Sequence, residues 1–395
     1  MPAYDAFLLV SFGGPEGPDD VMPFLQNVTR GRGVPPERLA SVAEHYYAVG
    51  GVSPINQQCR DLLAAIRAAF PASGLSLPVY WGNRNWTPYL TDTVRAMAAD
   101  GVRRAVALVT SAYSSYSSCR QYLEDIDRAR AEVGPDAPRI DKIRRFFNHP
   151  GFIEPFAAST RAALDTLPAD LRDGAHLVFT AHSIPVAMAK ASGPGGTNCY
   201  VAELTEAAGL VAERVGAGTH PWTLAYQSRS GPPSQPWLEP DIRDHLGELS
   251  KSGTNAVVAV PVGFVSDHME VRHDLDVEAA ETAASLGLAF ARAATPGSHP
   301  RFISMITELV RERLALPDDT APDNPGPYNP GPDSPRPDNP EPDNPEPDNP
   351  RRDSPRPDST ILDYPALGGM GVPSHDCPAD CCRYVAAGRA GGSRP

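Results

Sequence analysis

Two stretches of the chain place a metal-ligand side chain directly after a short apolar run. His182 ends the run in "HLVFTAHSIP", and Glu270 follows "NAVVAVPVGF" in the stretch "SDHMEV". An imidazole that faces a carboxylate across a cleft suits a divalent first-row metal ion. A pair without further fixed ligands leaves coordination positions open, as a metal that must arrive and leave requires. The pair therefore predicts a metal-handling site, and a purely structural histidine is the alternative interpretation for His182.

Glu270 also begins a row of carboxylates, which we call the acidic ladder. Asp274 and Glu278 follow at a spacing of four residues, so a helix would align all three side chains on one face. Like charges at this spacing repel each other and cost stability. A solvated helix face is one interpretation of the ladder. The other is a hydrated path for cations or a sink for protons.

The segment "SAYSSYSSCRQYLEDI" after the run "RAVALVT" is rich in serine and tyrosine. Serine caps at a helix start explain part of this composition. Tyr113, Tyr116 and Tyr122 together predict a polar, aromatic surface for a flat ligand with peripheral carboxylates. The turn "SFGGPEGP" after the first apolar run would let backbone approach a ligand closely, and an ordinary tight strand-to-helix turn is the alternative interpretation. It is not a dinucleotide fingerprint, because G-x-G-x-x-G is absent.

Parallel sheets would bring these residues to common edges. Longer amphipathic stretches alternate with seven short apolar runs, which are AFLLVSF, LPVYWG, RAVALVT, HLVFTAH, TLAYQS, NAVVAVPVGF and LAFARA. This alternation predicts an α/β fold with two similar, doubly wound parallel sheets, whose ligands bind beyond the carboxyl ends of the strands. We predict an N-terminal domain over residues 1–150 and a C-terminal domain over residues 151–316.

The remainder of the chain has a different composition. Residues 317–360 carry a proline-rich pentapeptide repeat of the type PDNPE, with 11 acidic residues and 4 arginines, which contribute −7 to the net charge of −13. A segment with so little to bury cannot offset its chain entropy, so we predict a disordered, polyproline-II-like linker. The tail over residues 361–395 then carries three crowded cysteines in "CPADCC".

Charge and hydropathy exclude several classes of protein. Acidic residues number 48 against 35 basic ones, and no basic stripe with interleaved aromatics argues for nucleic-acid binding. No apolar run approaches the ~20 residues of a membrane helix, and the start MPAYDAFLLVSFGG lacks the basic region of a signal peptide. We expect a soluble, cytoplasmic protein, compatible with a monomer, in which structural disulfides are not expected.

Several stretches together closely resemble the ferrochelatases, and within them the coproporphyrin ferrochelatases of Gram-positive bacteria. The matching stretches are LLVSFGGPEGPDDVMPFL, NVTRGRG, HYYAVGGVSPIN, YWGNRNWTPY, FTAHSIP, AYQSRSGPPSQPWLEPD and PVGFVSDHMEVRHDLD. They occur in order over about residues 4–300, and the combination of HSIP with SDHxE is specific. The resemblance therefore covers essentially the whole predicted globular part.

The resemblance implies two chelatase-like, Rossmann-like domains that enclose a porphyrin cleft. It also implies insertion of ferrous iron, as substrate, into coproporphyrin III to give Fe-coproporphyrin III for haem synthesis, with transient contacts to neighbouring enzymes of that pathway. His182 and Glu270 are implied as the catalytic, iron-binding pair. The residues implied to contact the tetrapyrrole are Ser53 and Tyr122, with Tyr46 and Arg30 near its propionates.

Three other functions stay open at this point. Protoporphyrin IX presents propionates to the same cleft, and a His–Glu pair does not itself select iron over cobalt or nickel. A two-lobed carrier of metal or tetrapyrrole, without chemistry, is the alternative outside enzymes. One departure from the family also matters: Phe12 stands where many bacterial relatives carry a tyrosine able to ligate the product iron.

Some ferrochelatases carry a [2Fe–2S] cluster that is held by one cysteine of the body and three of a C-terminal extension. By this resemblance Cys377, Cys381 and Cys382 supply three thiolates, the usual ligands of such clusters. Cys119 is the fourth ligand that we choose, with Cys199 in reserve. The spacing C-x₃-C-C is not a standard cluster pattern, so a tail with incidental thiols is the alternative.

Overall fold

The computed structural model describes residues 4–31, 33–231, 234–316, 364–375, 377–378 and 380–384. The proline-rich repeat, for which the sequence predicts a disordered linker, lies outside these residues. Among the helices in the described ranges, none is both long enough and apolar enough to cross a bilayer.

The first half of the described chain contains one parallel sheet. Its strands are β1 (Ala6–Ser11), β2 (Val79–Asn83), β3 (Arg104–Val109) and β4 (Arg139–Lys142), in the order β2-β1-β3-β4. Its helices are α1 (Pro18–Val28), α2 (Pro36–Tyr47), α3 (Ile55–Ala72), α4 (Leu90–Ala99), the π-helix Tyr116–Arg120 and α5 (Gln121–Val133). Every residue of β1 is buried, as the central strand of a sheet covered on both faces requires.

The second half repeats this arrangement. Its strands are β5 (His176–His182), β6 (Trp222–Gln227), β7 (Ala256–Val260) and β8 (Ala289–Arg292), in the order β6-β5-β7-β8. Its helices are α6 (Pro150–Thr166), α7 (Val186–Lys190), α8 (Cys199–Gly216), α9 (Ile242–Lys251), α10 (Met269–Val271), the π-helix Arg272–Ala279, α11 (Ala280–Ser285) and α12 (Pro300–Ala315). The same strand order in both halves confirms the predicted pair of similar, doubly wound sheets.

The strand order fixes where a ligand can bind. In each sheet the direction of winding reverses between the two central strands, β1 and β3 or β5 and β7. Ligands of doubly wound sheets bind beyond the carboxyl ends of the strands at such a reversal. His182 is the last residue of β5, and Glu270 lies in the segment that follows β7. Both residues therefore come from the reversal point of the second sheet.

Two predicted elements differ from the structure. The seven apolar runs omit β4, because its sequence RIDK has a single apolar residue; this edge strand pairs with β3 alone. The acidic ladder was expected on an α-helix, but most of it lies on the π-helix Arg272–Ala279. The turns of a π-helix are wider than those of an α-helix. A four-residue spacing in the sequence predicts a helix but does not distinguish a π-helix from an α-helix.

One apolar core runs through both halves of the protein. Phe146 packs edge to face with Phe152 and Phe302 within it, with ring centroids 5.5 and 6.1 Å apart, and it continues to Leu9 in the first sheet and Val258 in the second. All strands of the first sheet precede residue 150 and all those of the second follow it. The domain limits at 150 and 316 nevertheless stay a prediction, because the core does not divide there.

Candidate active site

His182 is held in one orientation by backbone groups. Its Nδ1 contacts the Ser183 carbonyl oxygen, and the Tyr200 hydroxyl donates to the His182 carbonyl oxygen at 2.9 Å. A carbonyl oxygen only accepts hydrogen bonds, so Nδ1 carries a proton and the neutral ring presents a lone pair at Nε2. The side chain thus directs its basic nitrogen away from the strand and toward the segment after β7.

Glu270 is positioned by an apolar stripe that has the same spacing as the ladder. Val271, Leu275 and Ala279 are fully buried at intervals of four residues, and each stands directly after a ladder carboxylate in the sequence. Burial of this stripe turns the acidic stripe beside it toward the cleft. The Gln227 amide, at the end of β6, donates to the Glu270 carbonyl oxygen at 3.1 Å and fixes the start of the ladder.

The structure brings His182 and Glu270 together. The His182 Nε2 lies 3.5 Å from Glu270 Oε2, although both side chains keep 31% and 48% of their surface exposed. Burial lowers the pKa of His182, but the charge of Glu270 outweighs it and raises that pKa to about 9. Burial raises the pKa of Glu270, and His182 outweighs it and lowers that pKa to about 2. At neutral pH the pair is therefore an imidazolium beside a carboxylate.

His268 lies on the other side of the same carboxylate. Its Nδ1 accepts a hydrogen bond from the Glu270 N–H at 3.2 Å and is 3.9 Å from Glu270 Oε2. Burial lowers the pKa of His268, against the raising effect of Glu270. Its Nδ1 already accepts this hydrogen bond, so the neutral ring carries its proton on Nε2. The site thus pairs a charged imidazole with a neutral one.

Asp274 is the unusual member of the acidic ladder. Burial raises its pKa to about 7, helped by the charges of Glu270 and Glu278 and opposed by a hydrogen bond from the Ser228 hydroxyl. A carboxyl with such a pKa is partly protonated at neutral pH. Asp274 can therefore take up and release protons beside the His182–Glu270 pair, which an ordinary surface carboxylate does not do at this pH.

The far end of the ladder forms a small group of metal-ligand atoms that the sequence pattern did not reveal. Ligand atoms of His273, Asp274 and Glu278 lie within 4.8 Å of one another. Glu278 also pairs with Arg243 at 3.3 Å, and the His273 ring meets the His45 ring of α2 at a centroid distance of 3.9 Å. The ladder thus runs from the His–Glu pair toward a helix of the first half.

Arg292, at the end of β8, fastens the ladder on both sides of Glu270. Its guanidinium binds Asp267 at 3.1 and 3.3 Å and also pairs with Asp276. The Asp267 N–H donates to the Gln58 side chain of α3 at 2.8 Å. Because bidentate arginine pairs fix geometry as well as charge, these contacts hold the segment that carries Glu270 against the first half.

The four residues predicted to contact a tetrapyrrole lie in different surroundings. Ser53 and Tyr122 are both only 4% exposed, Arg30 is exposed after α1, and Tyr46 faces the acidic ladder. Burial raises the pKa of Tyr46, and the charges of Glu270 and Asp274 raise it further. The structure thus places Tyr46 beside the carboxylates of the second half, and substrate contacts of all four residues stay predictions.

The serine- and tyrosine-rich segment does not form the open aromatic surface that its composition suggested. Tyr113 is buried, and its hydroxyl donates to the Val262 carbonyl oxygen at 2.8 Å. Tyr122 is buried beneath the Arg84 guanidinium, which lies 4.5 Å from the centre of its ring. Phe12 is 36% exposed beside the same guanidinium. Phe12 is therefore exposed in this region, whereas the Arg84 side chain is only 6% exposed and lies between Phe12 and the buried Tyr122.

Four cysteines meet at a second place, where the tail contacts the body. A hydrogen bond joins the thiols of Cys119 and Cys377, another joins Cys377 and Cys381, and the sulfurs of Cys381 and Cys382 lie 3.6 Å apart. Bonds from Cys119 and Cys381 lower the pKa of Cys377, and a bond from Cys381 lowers that of Cys382. The same bonds raise the pKa of Cys119 and Cys381, which donate them. Cys199 lies beside Gly193, where an added Cβ would collide with its Sγ, and its described hydrogen bond is with the Thr197 hydroxyl.

Positive groups surround these sulfurs. The charges of Lys142 and Arg145 act on Cys119 and Cys377, and the Gly193 N–H donates to Cys382 Sγ at 3.2 Å. Arg145 is held in turn by Glu203 at 3.0 Å. Cationic surroundings favour thiolates, the form of cysteine that binds metals. The donor set and its charges therefore fit an iron–sulfur cluster with four thiolate ligands.

Two similar, doubly wound sheets with an imidazole–carboxylate pair at the reversal point of the second define an α/β protein of the chelatase type. The ferrochelatase family model matches residues 4–314, which is most of the chain. The chain therefore belongs to the ferrochelatase family.

Curated relatives agree with this membership. The chain is 50% identical over 390 residues to a protein of Streptomyces griseus named coproporphyrin III ferrochelatase, covering 96% of this chain and 93% of that protein. It is 58% identical over 314 residues to a protein of the same name from Nocardia farcinica, covering 79% and 89%. A Rhodopirellula baltica protein named ferrochelatase is 48% identical over 388 residues, covering 98% and 95%.

Among solved structures, SirB from Bacillus subtilis has a TM-score of 0.50 with this chain at 12% identity, covering 80% of this chain and 98% of SirB. At that identity the likeness concerns the fold alone, and it supports the chelatase-type architecture.

Three groups near the pair escaped the assignments made from the sequence. His268 stands in "SDHMEV", where only Glu270 was assigned a role. Gln227 and Ser228 stand in "AYQSRSG", where no residue was assigned one. The signal that could have found Gln227 is its place at the end of a strand neighbouring β5, where it is paired in register with His182.

Proposed function

We propose that this protein inserts ferrous iron into coproporphyrin III at the His182–Glu270 pair. The observation that carries the proposal is the 3.5 Å approach of these two groups at the reversal point of the second sheet, in a chain of the ferrochelatase family. Coproporphyrin III is favoured over protoporphyrin IX because relatives at 50% to 58% identity bear the name coproporphyrin III ferrochelatase.

The chemistry requires two proton removals and one metal transfer. Two pyrrole N–H bonds break, their electron pairs stay on nitrogen, and four nitrogens bind Fe²⁺ with release of two protons. A cation that binds the Glu270 carboxylate neutralises the negative charge that raises the pKa of His182. His182 then loses its proton toward the ladder, and its neutral Nε2 accepts one from a pyrrole. The reverse division, with metal on His182 and proton on Glu270, is the alternative.

The acidic ladder gives these protons a route out of the cleft. Asp274 has a pKa of about 7, so it can accept a proton at neutral pH and pass it on. Its contacts with Ser228 and Gln227 keep it beside the pair. The same carboxylates attract the incoming dication, so cations and protons move along one row in opposite directions.

Turnover tests this proposal against the alternatives. Under anaerobic conditions, protein at one hundredth of the porphyrin concentration should convert all of the free-base coproporphyrin III in the presence of Fe²⁺. The absorption spectrum of the porphyrin follows the conversion. Protoporphyrin IX and Co²⁺, assayed in parallel, should react at least tenfold more slowly. A spectral change that stops at the protein concentration would identify a carrier. Faster reaction with protoporphyrin IX or Co²⁺ would reassign the substrate.

We propose further that Cys119, Cys377, Cys381 and Cys382 hold a [2Fe–2S] cluster. When bound, such a cluster supplies a one-electron redox centre and a covalent link between tail and body. Lys142, Arg145 and the Gly193 N–H compensate the negative charge of four thiolates. The cluster would join the first half, through Cys119, to the loop of Gly193 in the second half.

Cysteine variants separate this cluster from incidental thiols. Protein purified anaerobically should show visible absorption and two labile sulfides per chain. Cys119→Ser should lose at least 80% of both, because one of four ligands is gone, and Cys199→Ser should keep them. A wild-type protein without labile sulfide would remove the cluster from the proposal. Equal loss in both variants would instead show that the choice of Cys119 is wrong.

A further inference from the structure

Residues 364–375 of the tail, which we call the strap, lie against the body through backbone hydrogen bonds. The Leu367 N–H donates to the Asn148 carbonyl oxygen at 2.9 Å, and the Asn148 amide donates to the carbonyl oxygens of Leu367 and Gly371 at 3.1 and 2.8 Å. Asn148 is fully buried, so its amide needs protein acceptors. The body thus carries a fixed polar group that binds two main-chain carbonyl oxygens of the strap.

A buried ion pair forms a second anchor for the strap. Arg144, in the segment after β4, binds Glu312 of α12 through two hydrogen bonds of 2.6 and 3.0 Å. Arg144 also donates to the Pro365 carbonyl oxygen at 3.1 Å, and the His375 Nε2 lies 3.7 Å from Glu312. A guanidinium buried to this degree must find acceptors for its remaining N–H groups, and the strap supplies one.

Glu206 of α8 forms the third anchor, and it explains one glycine. The Met370 N–H donates to the Glu206 carboxylate at 3.1 Å. Gly368 lies against the same carboxylate with φ of +75°, and a Cβ there would lie 2.5 Å from Glu206 Oε1. Both the space and the backbone conformation therefore favour glycine. At the neighbouring Gly369, by contrast, a Cβ would meet nothing within 4 Å.

None of these three anchors uses a cysteine. We propose that the strap docks on the body through its own hydrogen-bond sites, independently of any cluster, and thereby presents Cys377, Cys381 and Cys382 to Cys119. The strap and the body belong to one chain, so docking is intramolecular, and tethers can give effective concentrations in the ~mM range. The presentation of ligands rests on the proposed cluster, whereas the docking itself does not.

Hydrogen exchange of the full-length protein, read at the Leu367 and Met370 amides by mass spectrometry, tests the docking. Gly368→Val should speed exchange at both amides at least tenfold, because the side chain collides with Glu206, while the matched Gly369→Val should leave it within twofold of wild type. Cys119→Ser should also keep wild-type protection, since the anchors remain. Protection lost in Cys119→Ser, or retained in Gly368→Val, would overturn the proposal.

Labile sulfide in the same preparations tests the presentation of ligands. Gly368→Val should hold at most one third of the wild-type sulfide although all four cysteines are present, and Gly369→Val should match wild type. Equal sulfide in both glycine variants would overturn this half of the proposal. Absence of labile sulfide from the wild-type protein would overturn the presentation of ligands, because the proposed cluster would not exist. The hydrogen-exchange data would then still decide whether the strap docks.

Discussion

Substitution of His182 by alanine should reduce iron insertion into coproporphyrin III by about 10³-fold, within the range that loss of a general acid or base produces. The variant removes the Nε2 that lies 3.5 Å from Glu270 and so removes the group that we propose as the acceptor for the pyrrole proton. Porphyrin binding should persist, because His182 is one small part of the cleft. The measurements are steady-state insertion of Fe²⁺ and porphyrin fluorescence quenching on binding.

His220→Ala is the matched control for this substitution. His220 precedes β6 at the opposite end of the sheet, where its Nδ1 contacts the Ala175 carbonyl oxygen, and its loss should change insertion less than threefold. Insertion within tenfold of wild type in His182→Ala would show that another group accepts the proton. Loss of porphyrin binding in that variant would show that His182 holds the substrate and is not the base.

Glu270→Gln should lower the pKa of His182 from about 9, and insertion should fall by about 10²- to 10⁴-fold. The charge of Glu270 and its hydrogen bond are the largest effects that raise this pKa against burial, whereas the Ser183 carbonyl and the charge of Asp274 still raise it in the variant. In wild type His182 stays protonated until the pH approaches 9, and in the variant it should lose its proton at lower pH. NMR titration of the histidine ring signals in the metal-free protein measures the shift.

Glu281→Gln provides the matched control, because Glu281 is an exposed carboxylate just beyond the π-helix. It should leave both the His182 titration and insertion within twofold of wild type. A His182 pKa that stays near 9 in Glu270→Gln would mean that another group sets it. A normal rate of insertion in that variant would remove Glu270 from the reaction.

The sequence was sufficient for the alternation of strands and helices because buried parallel strands are almost wholly apolar. AFLLVSF and HLVFTAH stand out for this reason, and both become central strands. β4 has the sequence RIDK and escaped, because its second buried residue is Asp141, which is 7% exposed and paired with Arg104 at 3.0 Å. Thus the pattern finds strands that carry an apolar run, and it misses one whose buried positions include an ion pair.

Side-chain environments of the candidate site could be predicted only in part. His182 and Glu270 were placed at one edge because each follows a predicted parallel strand, but their distance depends on how the segment after β7 is fastened by Arg292. The buried state of Tyr113 could not follow from composition, since tyrosine suits both surfaces and cores. The hydrogen bonds between strap and body join residues more than 150 positions apart, and no local pattern encodes such pairing.

We propose that iron passes between His182 and Glu270. The most direct test is anomalous scattering at the iron absorption edge, because it locates bound iron relative to these side chains. Crystals soaked anaerobically with Fe²⁺, without porphyrin, should show an iron peak within ligand distance of both His182 Nε2 and a Glu270 oxygen, besides any signal at the four cysteines. Crystals of Glu270→Gln should lack that peak. Iron bound in the cleft away from both side chains, or a peak unchanged by the substitution, would contradict the account.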